Sequence, residues 1–321
     1  MKKKVLAAAL SAVMALGMGA CVNAGSADPV AETADKTEKG EDSLIVGSKD
    51  FTESLILGEI YAAALEDNGV PVTRKMSLGS QVVNDAITAG DIDTYPEYTG
   101  TGLLRDLQED PIYDPDELYQ AVKDKFEEKW QITWLDPADV SDAEGLAMLK
   151  TRAEELGITT FSEAWAQSAD LKLCGNGEFF TQVSTYPRLQ EIYGQDSFEQ
   201  VTMDHALAFT AARSGDVDII SVYTTEGNLA DGDFLILEDD KQAWCPYNIC
   251  PIIRDDALAK FPQAAAIMNA VTATFTDENV IQLNAAVDLD GEDYEDVAED
   301  YYDSIKDQVA EAVANAAETE S

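Results

Sequence analysis

Apolar and polar positions in the first hundred residues predict a strand, a helix, a strand, a helix and a strand, in that order. Residues 43–47 form a short apolar strand, and residues 54–67 carry apolar side chains at helical spacing. A second strand is predicted at residues 70–76, a second helix at 80–89 and a third strand at 92–95. This order predicts a parallel sheet with helices packed on its faces.

The same order of elements returns in the second half of the chain. Between the two sets, residues 116–129 show an amphipathic helical pattern and 132–135 a strand, while residues 143–150 fit either a helix or a strand. The second set has helices at 160–168, 188–193 and 205–213 and strands at 171–174, 198–203, 217–223 and 234–238. Two α/β lobes are therefore expected.

The C-terminal part is predicted to be extended at first and then helical. Residues 243–254 form an extended stretch that two prolines interrupt. Helices are expected at residues 258–274 and 278–287. The acidic segment 292–317 repeats apolar residues at helical spacing, so we expect it to dock as a helix rather than remain disordered.

The N-terminus carries the pattern of an export signal over residues 1–20. Three lysines precede an apolar run that is too short to cross a bilayer as a helix. Residues 18–21, Met-Gly-Ala-Cys, resemble a bacterial lipobox, which implies cleavage before Cys21 and lipidation of its thiol. A plain secretory signal with an incidental cysteine is the alternative. Residues 21–42 lack hydrophobic periodicity and are predicted to be a disordered linker on the lipid anchor.

Charge and cysteine usage narrow the classes of function. The chain has 62 acidic and 21 basic residues and a formal net charge of -41, which excludes nucleic acid as a partner because phosphate binding needs clustered Lys and Arg. Two of Cys174, Cys245 and Cys250 can pair in an exported protein, but the sequence does not say which. Their spacing does not indicate a metal site, and the single histidine, His205, is predicted to be a structural or surface residue.

Aromatic residues, hydroxyls and glycines are concentrated between Asp93 and Gly102, in the run D-T-Y-P-E-Y-T-G-T-G. Pro96 favours an extended backbone at the residue before it, and Gly100 permits a close approach that a Cβ would block. We expect this motif to be the end of a strand that turns into a loop, with aromatic faces and hydroxyls at its tip.

Four short motifs occur in one order along the chain. They are G-S-K-D-F-T-E from Gly47, Y-P-E-Y-T-G-T-G from Tyr95, Y-T-T-E-G from Tyr223 and P-Y-N from Pro246. Each is weak alone, but together they resemble the glycine betaine/carnitine/choline-binding proteins of osmoprotectant ABC importers. The resemblance covers residues 43–304.

The resemblance implies a two-lobed, periplasmic-binding-protein-like (type II) α/β fold, with a hinge and a ligand cleft between the lobes. Lobe 1 is expected to comprise residues 43–140 plus 249–321, and lobe 2 residues 141–248. The implied function is that of a substrate-binding lipoprotein, without cofactor or enzymatic activity, on the outer face of the cytoplasmic membrane. We expect a monomer that passes a quaternary ammonium ligand to ABC permease and ATPase subunits.

The chemistry of that ligand explains which residues the resemblance assigns to the site. A quaternary ammonium has no N–H to donate, but aromatic faces can hold it through cation–π attraction. By motif match, Tyr98, Tyr223 and Tyr247 would form the cage. Lys49 and Thr101 match residues that can meet a ligand carboxylate or hydroxyl.

Two positions depart from the family pattern. Glu144 stands where the family usually has a further cage tyrosine, and Gln182 stands where betaine binders carry an arginine. Losing a bidentate arginine and gaining a carboxylate favour a ligand whose net charge is positive. We therefore expect choline or a related cationic amine in preference to glycine betaine. Two alternatives remain. A residue near Glu144 in the sequence fills the cage position instead, or the ligand is a larger betaine.

Two other classes of function fit parts of the pattern. An exported hydrolase would need a histidine constellation, a Gly-x-Ser-x-Gly elbow or a metal-ligand cluster, none of which the sequence shows. Acid pairs such as Asp93 with Glu97 are uninformative among so many carboxylates. A ligand-sensing lipoprotein would use the same cleft to feed a receptor, and the sequence does not separate it from a transport protein.

Overall fold

The computed structural model describes residues 43–319. The predicted signal, the linker and Cys21 lie outside the described residues. The strands of the described part are β1 (Leu44–Lys49), β2 (Val72–Leu78), β3 (Thr94–Tyr98), β4 (Ile132–Trp134), β5 (Glu144–Leu149), β6 (Lys172–Gly175), β7 (Glu199–Thr202), β8 (Ile219–Tyr223), β9 (Phe234–Ile236) and β10 (Ile249–Arg254). Its helices are α1 (Thr52–Asp67), α2 (Val83–Ala89), α3 (Thr99–Thr101), α4 (Pro115–Trp130), α5 (Lys150–Leu156), α6 (Phe161–Ala166), α7 (Gly177–Thr181), α8 (Tyr186–Tyr193), α9 (His205–Ser214), α10 (Asp255–Lys260), α11 (Gln263–Thr272), α12 (Asp277–Asp288) and α13 (Tyr294–Thr319).

The strands form two five-stranded sheets with equivalent strand orders. The first sheet has the order β2-β1-β3-β10-β4 and the second the order β7-β6-β8-β5-β9. In the first sheet β10 runs antiparallel to both of its neighbours, and in the second sheet β5 does the same. The pairs β1–β2, β1–β3, β6–β7 and β6–β8 are parallel. The α/β fold class is therefore confirmed.

Each sheet has an apolar core on both faces. Along β1, Leu44 and Val46 belong to one cluster of buried residues and Ile45 to another, because successive side chains of a strand point to opposite faces. Along β5, Leu146 and Ala147 divide between two clusters in the same way. Burial on both faces explains why these strands are continuous apolar runs in the sequence.

The structure differs from the sequence-based expectations at several places. The ambiguous segment 143–150 is mainly strand β5, and the single helix expected at 258–274 is two helices separated at Pro262. The motif that begins at Asp93 continues from β3 directly into α3 and a π-helical segment, Gly102–Asp106, so it is not a strand followed by a loop.

The expected disulfide is absent from the described residues. Cys174, Cys245 and Cys250 are free and buried. The Sγ of Cys245 lies 3.0 Å from the carbonyl oxygen of Ile112, and the Sγ of Cys250 lies 2.9 Å from that of Leu135. Each of these thiols therefore has a backbone acceptor within its own surroundings. The pairing suggested by the exported context was wrong.

The chain crosses between the two sheets twice, and the two crossing segments lie side by side. It leaves the first sheet after β4, enters the second at β5, and returns between β9 and β10. Ser141 and Asn248 form an isolated antiparallel bridge, and the amide of Asp142 donates to the carbonyl of Tyr247 at 3.1 Å. The two connections between the sheets are therefore hydrogen-bonded to each other.

A second contact between the two parts is made by α12. The Nδ2 of Asn284 donates to the carbonyl oxygen of Thr225 at 2.8 Å and to Oε2 of Glu53 at 2.9 Å. A Cβ at Gly227 would lie 2.8 Å from the backbone of Ala285, so the two backbones are in close contact there.

No described helix has the length and apolar character needed to cross a membrane.

Candidate functional site

A cavity of about 810 Å³ is lined by residues from both halves of the structure. Its volume is within the range of roughly 300–1,000 Å³ that small-molecule sites occupy. The lining includes residues that precede α4, begin β5, follow α7, lie in α8, end β8 and belong to the returning crossover: Tyr113, Glu144, Gln182, Arg188, Tyr223, Trp244 and Tyr247.

Glu144 and Tyr223 lie directly opposite each other in this wall. They form a register pair of the antiparallel strands β5 and β8, which places their side chains next to each other. Tyr223 is 49% exposed, so much of its surface is open to a ligand. No described side chain donates a hydrogen bond to the Glu144 carboxylate. Burial raises the pKa of Glu144 to about 7; the nearby His205 opposes the shift and Glu226 adds to it.

The ring of Tyr247 packs closely against the backbone at Gly100. A Cβ at Gly100 would lie 2.8 Å from two atoms of the Tyr247 ring and 2.7 Å from the carbonyl oxygen of Pro246. Glycine at this position therefore lets the ring lie close to α3. Burial raises the pKa values of Tyr247 and Tyr223 to about 12, so both phenols are neutral near pH 7.

Gln182 reaches the same cavity from the end of α7. The side chain of Asn176 caps this helix by accepting a hydrogen bond from the amide of Phe179 at 2.7 Å. Gln182 lines both the large cavity and a small neighbouring one of about 50 Å³, which it shares with Glu144 and Tyr223. The structure thus brings together Glu144, Gln182, Tyr223 and Tyr247.

Lys49 and Tyr98 belong to a different, buried group. Lys49 is 2% exposed, forms a salt bridge with Glu97, and places its Nζ 4.6 Å from the centroid of the Tyr98 ring. Tyr98 is 3% exposed and donates a hydrogen bond to Glu53 at 2.8 Å. One face of Tyr98 is therefore already occupied by a cation of the protein. Thr101 lies on α3, partly exposed, and belongs neither to this group nor to the lining of the cavity.

Carboxylates surround the exposed side of Tyr223. A further cavity of about 440 Å³ shares Tyr223 and is also lined by Phe51, Glu53, Asp142 and Glu226. Burial raises the pKa of Asp142 to about 7, and the charge of Glu53 adds to the shift. Burial also raises the pKa of Glu53. Loss of water around several nearby carboxylates makes a cationic ligand favourable here.

The lone histidine also lies at this crevice. The Nε2 of His205 is 2.5 Å from Oε1 of Glu226, and this hydrogen bond raises the pKa of His205. Glu226 in turn accepts from the backbone amide of Tyr223 at 2.7 Å. His205 also lines the 50 Å³ cavity, together with Glu144 and Tyr223.

Several cavity residues had no signal in the sequence. Phe51 lies within the G-S-K-D-F-T-E motif, but the sequence did not assign it to the ligand site. Its ring centroid lies 5.9 Å from that of Tyr98. Asp142, Arg188 and Trp244 follow no motif that marks them. They reach the site because strand pairing and the returning crossover bring distant segments together.

Residues 42–304 match the OpuAC family, described as the substrate binding domain of ABC-type glycine betaine transport system. The chain belongs to the OpuAC family. The family match confirms the resemblance drawn from the motifs. It makes the chain a substrate-binding protein of an ABC importer, which acts outside the cytoplasm, and not an enzyme.

Individual OpuAC relatives cover most of this chain. Glycine betaine-binding protein YehZ of Escherichia coli is 31% identical over 269 residues, which are 80% of this chain and 88% of YehZ. The solved structure of apo YehZ has a TM-score of 0.74 at 30% identity and covers 82% of this chain and 98% of YehZ. A glycine-betaine-binding protein of Pseudomonas aeruginosa is 31% identical over 273 residues, 81% of this chain and 87% of that protein.

The fold is shared with structures of lower sequence identity. A crystal structure described as a glycine betaine/carnitine/choline ABC transporter has a TM-score of 0.78 at 24% identity and covers 82% of this chain and 99% of that one. The OpuAC fold found here, with two sheets joined by paired crossovers, is that of a type II periplasmic binding protein.

Proposed function

We propose that this OpuAC protein binds a small quaternary ammonium compound in the crevice and delivers it to an ABC permease, with choline or a related cationic amine preferred over glycine betaine. The observation that carries the proposal is the Glu144 carboxylate, which is largely buried, accepts no hydrogen bond from the described residues and lies beside Tyr223 and Tyr247 in one cavity.

The chemistry of this wall fits a methylated cation. Each aromatic face can contribute roughly 0.5–2 kcal/mol of cation–π attraction. A micromolar Kd needs about 8 kcal/mol, so the two rings, the carboxylate and closure of the lobes must act together. Because a quaternary nitrogen has no N–H, it cannot hydrogen-bond to Glu144, and their interaction is one of charge alone.

A short betaine fits the same wall less well. Its carboxylate is separated from the nitrogen by one carbon atom, so it would remain near Glu144 and be repelled. Gln182 offers a neutral amide where the family resemblance leads one to expect an arginine. Glycine betaine and carnitine nevertheless define the alternative within the same system, since YehZ and the Pseudomonas relative are named for glycine betaine. A ligand-sensing lipoprotein is a second alternative that uses the same cleft.

The proposal also covers the two lobes, their closure over the ligand and the attachment of the protein to the membrane. We place lobe 1 at residues 43–140 plus 249–321 and lobe 2 at 141–248, and expect rotation about the paired crossovers to close the crevice over the ligand. Lipidation of Cys21 would hold a monomeric protein at the outer face of the membrane. Lys49, Tyr98 and Thr101 stay predicted members of the site that closure would have to bring to the ligand.

Isothermal titration of the purified mature protein tests the proposal. Choline is expected to bind with a Kd at least several-fold below that of glycine betaine at pH 8, where Glu144 is ionised. A lower Kd for glycine betaine would overturn the ligand preference. Absence of binding by either compound, in a protein shown to be folded by circular dichroism, would overturn the assignment of the crevice.

A further inference from the structure

Helix α12 belongs to the proposed lobe 1 by its position in the chain but packs against the proposed lobe 2. It follows β10 of the first sheet. The side chain of Ile281 nevertheless packs against the apolar cluster of the second sheet that contains Ala147 and Val222. The Nε2 of Gln282 donates to the carbonyl oxygen of Ala230 at 2.8 Å. The helix is therefore joined to lobe 2 by apolar packing and by a hydrogen bond.

The part of lobe 2 that α12 contacts comes directly after Tyr223. The Nδ2 of Asn284 donates to the carbonyl oxygen of Thr225 and, within lobe 1, to the carboxylate of Glu53. The following helical turn, Gly227–Leu229, approaches α12 so closely that a Cβ at its glycine would meet the backbone of the helix. Among the described helices and strands, this turn and α12 make the most extensive contact between the two proposed lobes.

Hydrogen bonds also fix the segment that connects this contact to the ring of Tyr223. The amide of Tyr223 donates to Oε1 of Glu226 at 2.7 Å, and the amide of Glu226 donates to the carbonyl of Tyr223 at 3.2 Å. Oγ1 of Thr225 donates to Oδ1 of Asp142, in the first crossover, at 2.8 Å. A hydrogen-bonded network of this kind holds a segment rigid. The position of α12 therefore determines where Tyr223 stands relative to Glu53.

The contact between the lobes on the other side of Tyr223 is looser. Tyr223 is shared by the 440 Å³ cavity, where α12 lies, and the 810 Å³ cavity. In the larger cavity the guanidinium carbon of Arg188 lies 5.0 Å from the centroid of the Tyr113 ring. Arg188 also donates to Glu191 and to the carbonyl of Ala243 within lobe 2, and these bonds do not depend on Tyr113. A single cation–π contact between partly exposed side chains separates more easily than an interface with apolar packing and backbone contact.

We infer that α12 is a third, permanent attachment between the lobes, beside the two crossovers, and that it positions Tyr223 for the ligand. This inference rests on the proposed function, from which it takes the two lobes and their closure. Rotation of the lobes keeps the segment after Tyr223 against α12 and opens the crevice where Arg188 meets Tyr113. The ligand therefore enters on the Arg188 side, and the ring of Tyr223 is in place before the ligand binds, which lowers the entropy lost on binding.

Two pairs of cysteines test the inference in the mature chain with Cys21→Ser. The first pair, Gln282→Cys with Ala230→Cys, joins α12 to lobe 2. The second pair, Tyr113→Cys with Arg188→Cys, spans the looser side. Each pair is linked with bismaleimidoethane, and choline binding is followed by calorimetry and stopped-flow fluorescence before and after linking, so that the effects of the substitutions themselves cancel. The single variants, treated with the same reagent, control for reaction at the buried native cysteines.

The two links are expected to act differently. Linking the first pair should change the Kd and the rate constants of choline by less than about twofold, because the joined segments do not separate during binding. Linking the second pair should slow both association and dissociation by about tenfold or more, because the entry route is held shut.

Spin labels at the same two pairs provide a measurement that needs no ligand. Electron paramagnetic resonance should give one narrow distance for the first pair and a broader distribution for the second. A merely structural role of α12 predicts no such difference between the pairs.

Three results would overturn the inference: slowing of choline exchange by the first link as much as by the second, unchanged exchange after the second link, or a distance distribution for the first pair at least as broad as that for the second. Failure of both choline and glycine betaine to bind would instead overturn the proposed function, and the spin-label distances would then decide the inference by themselves.

Discussion

Replacing Glu144 with glutamine removes one negative charge from the cavity and keeps the size and shape of the side chain. Because no described residue donates a hydrogen bond to the carboxylate, the substitution breaks no hydrogen bond within the protein. Any change in ligand affinity therefore reports the interaction between this charge and the ligand. Glu191→Gln is the matched control for choline, since Glu191 lines the same cavity but is paired with Arg188.

The expected loss can be estimated from the strand register. Glu144 and Tyr223 are an opposed pair, and such pairs hold their Cβ atoms about 4.5–5.5 Å apart. A cation on the Tyr223 face lies within about 6 Å of the ring centroid, so we take about 6 Å as its distance from the carboxylate. Coulomb's law then gives about 1.4–2.8 kcal/mol for an effective dielectric constant of roughly 20–40. Choline should bind about 10- to 100-fold more weakly to the variant.

Titration calorimetry at several pH values gives a second, independent readout. The pKa of Glu144 is raised to about 7, so the carboxylate is ionised above that pH and becomes protonated below it. Choline affinity of the wild type should therefore rise with pH up to about 8 and fall below pH 7, by at most about tenfold per pH unit for each proton linked to binding. The Glu144→Gln variant should show a flatter profile, in which Asp142 contributes what remains.

A neutral ligand of the same shape separates charge from packing. The alcohol 3,3-dimethylbutan-1-ol replaces the quaternary nitrogen of choline with carbon, and its weak binding should not change in Glu144→Gln. The reasoning fails if the variant binds choline within about twofold of the wild type at pH 8, or if its pH profile is unchanged. An equal loss for choline and the alcohol would also refute it, because the effect would then be one of shape.

Three other substitutions test the wall and the buried group. Tyr247→Leu should weaken choline by about tenfold if the ring contributes roughly 1.4 kcal/mol, and titration calorimetry that shows no loss would remove this ring from the cage. Gly100→Ala places a Cβ 2.8 Å from the Tyr247 ring and should lower the free energy of unfolding by about 1–3 kcal/mol in urea denaturation. Gly177→Ala, with no heavy atom within 4 Å of the new Cβ, is its control and should be nearly neutral. Lys49→Met leaves Glu97 buried without its main partner and should cost about 3–5 kcal/mol of unfolding free energy; a second substitution, Glu97→Gln, should restore most of it, and no restoration would contradict the buried pair.

Local pattern was sufficient for most strands and helices. The apolar runs of β1 and β8 and the helical spacing of α1 depend on residues that are close together in the sequence. All three elements begin and end within a few residues of their predicted positions. The segment 143–150 was ambiguous because a short apolar run fits a strand or a buried helix equally well. Pairing with β8 and β9 decides that it is the strand β5.

Local sequence pattern predicted only some of the residues that form the site. The motifs named Tyr223 and Tyr247, and the departures at Glu144 and Gln182 predicted an acidic wall without the expected arginine; these four residues do line one cavity. Tyr98 was assigned to the cage on equal grounds, yet the ammonium group of Lys49 lies against its ring in the structure. The motif specifies residue types, whereas burial and the choice of neighbour depend on how the first sheet is packed.

Residue types and their local order establish the alternation of strands and helices, the acidity of the chain and the set of tyrosines and carboxylates from which a cation site can be built. Packing alone decides that Glu144 stands opposite Tyr223, that Arg188 and Trp244 line the same cavity as Glu144, and that the ammonium group of Lys49 lies against the Tyr98 ring. The physical reason is that these contacts join segments far apart along the chain. Their distances are set by strand pairing and by the two crossovers, and no short stretch of sequence encodes them.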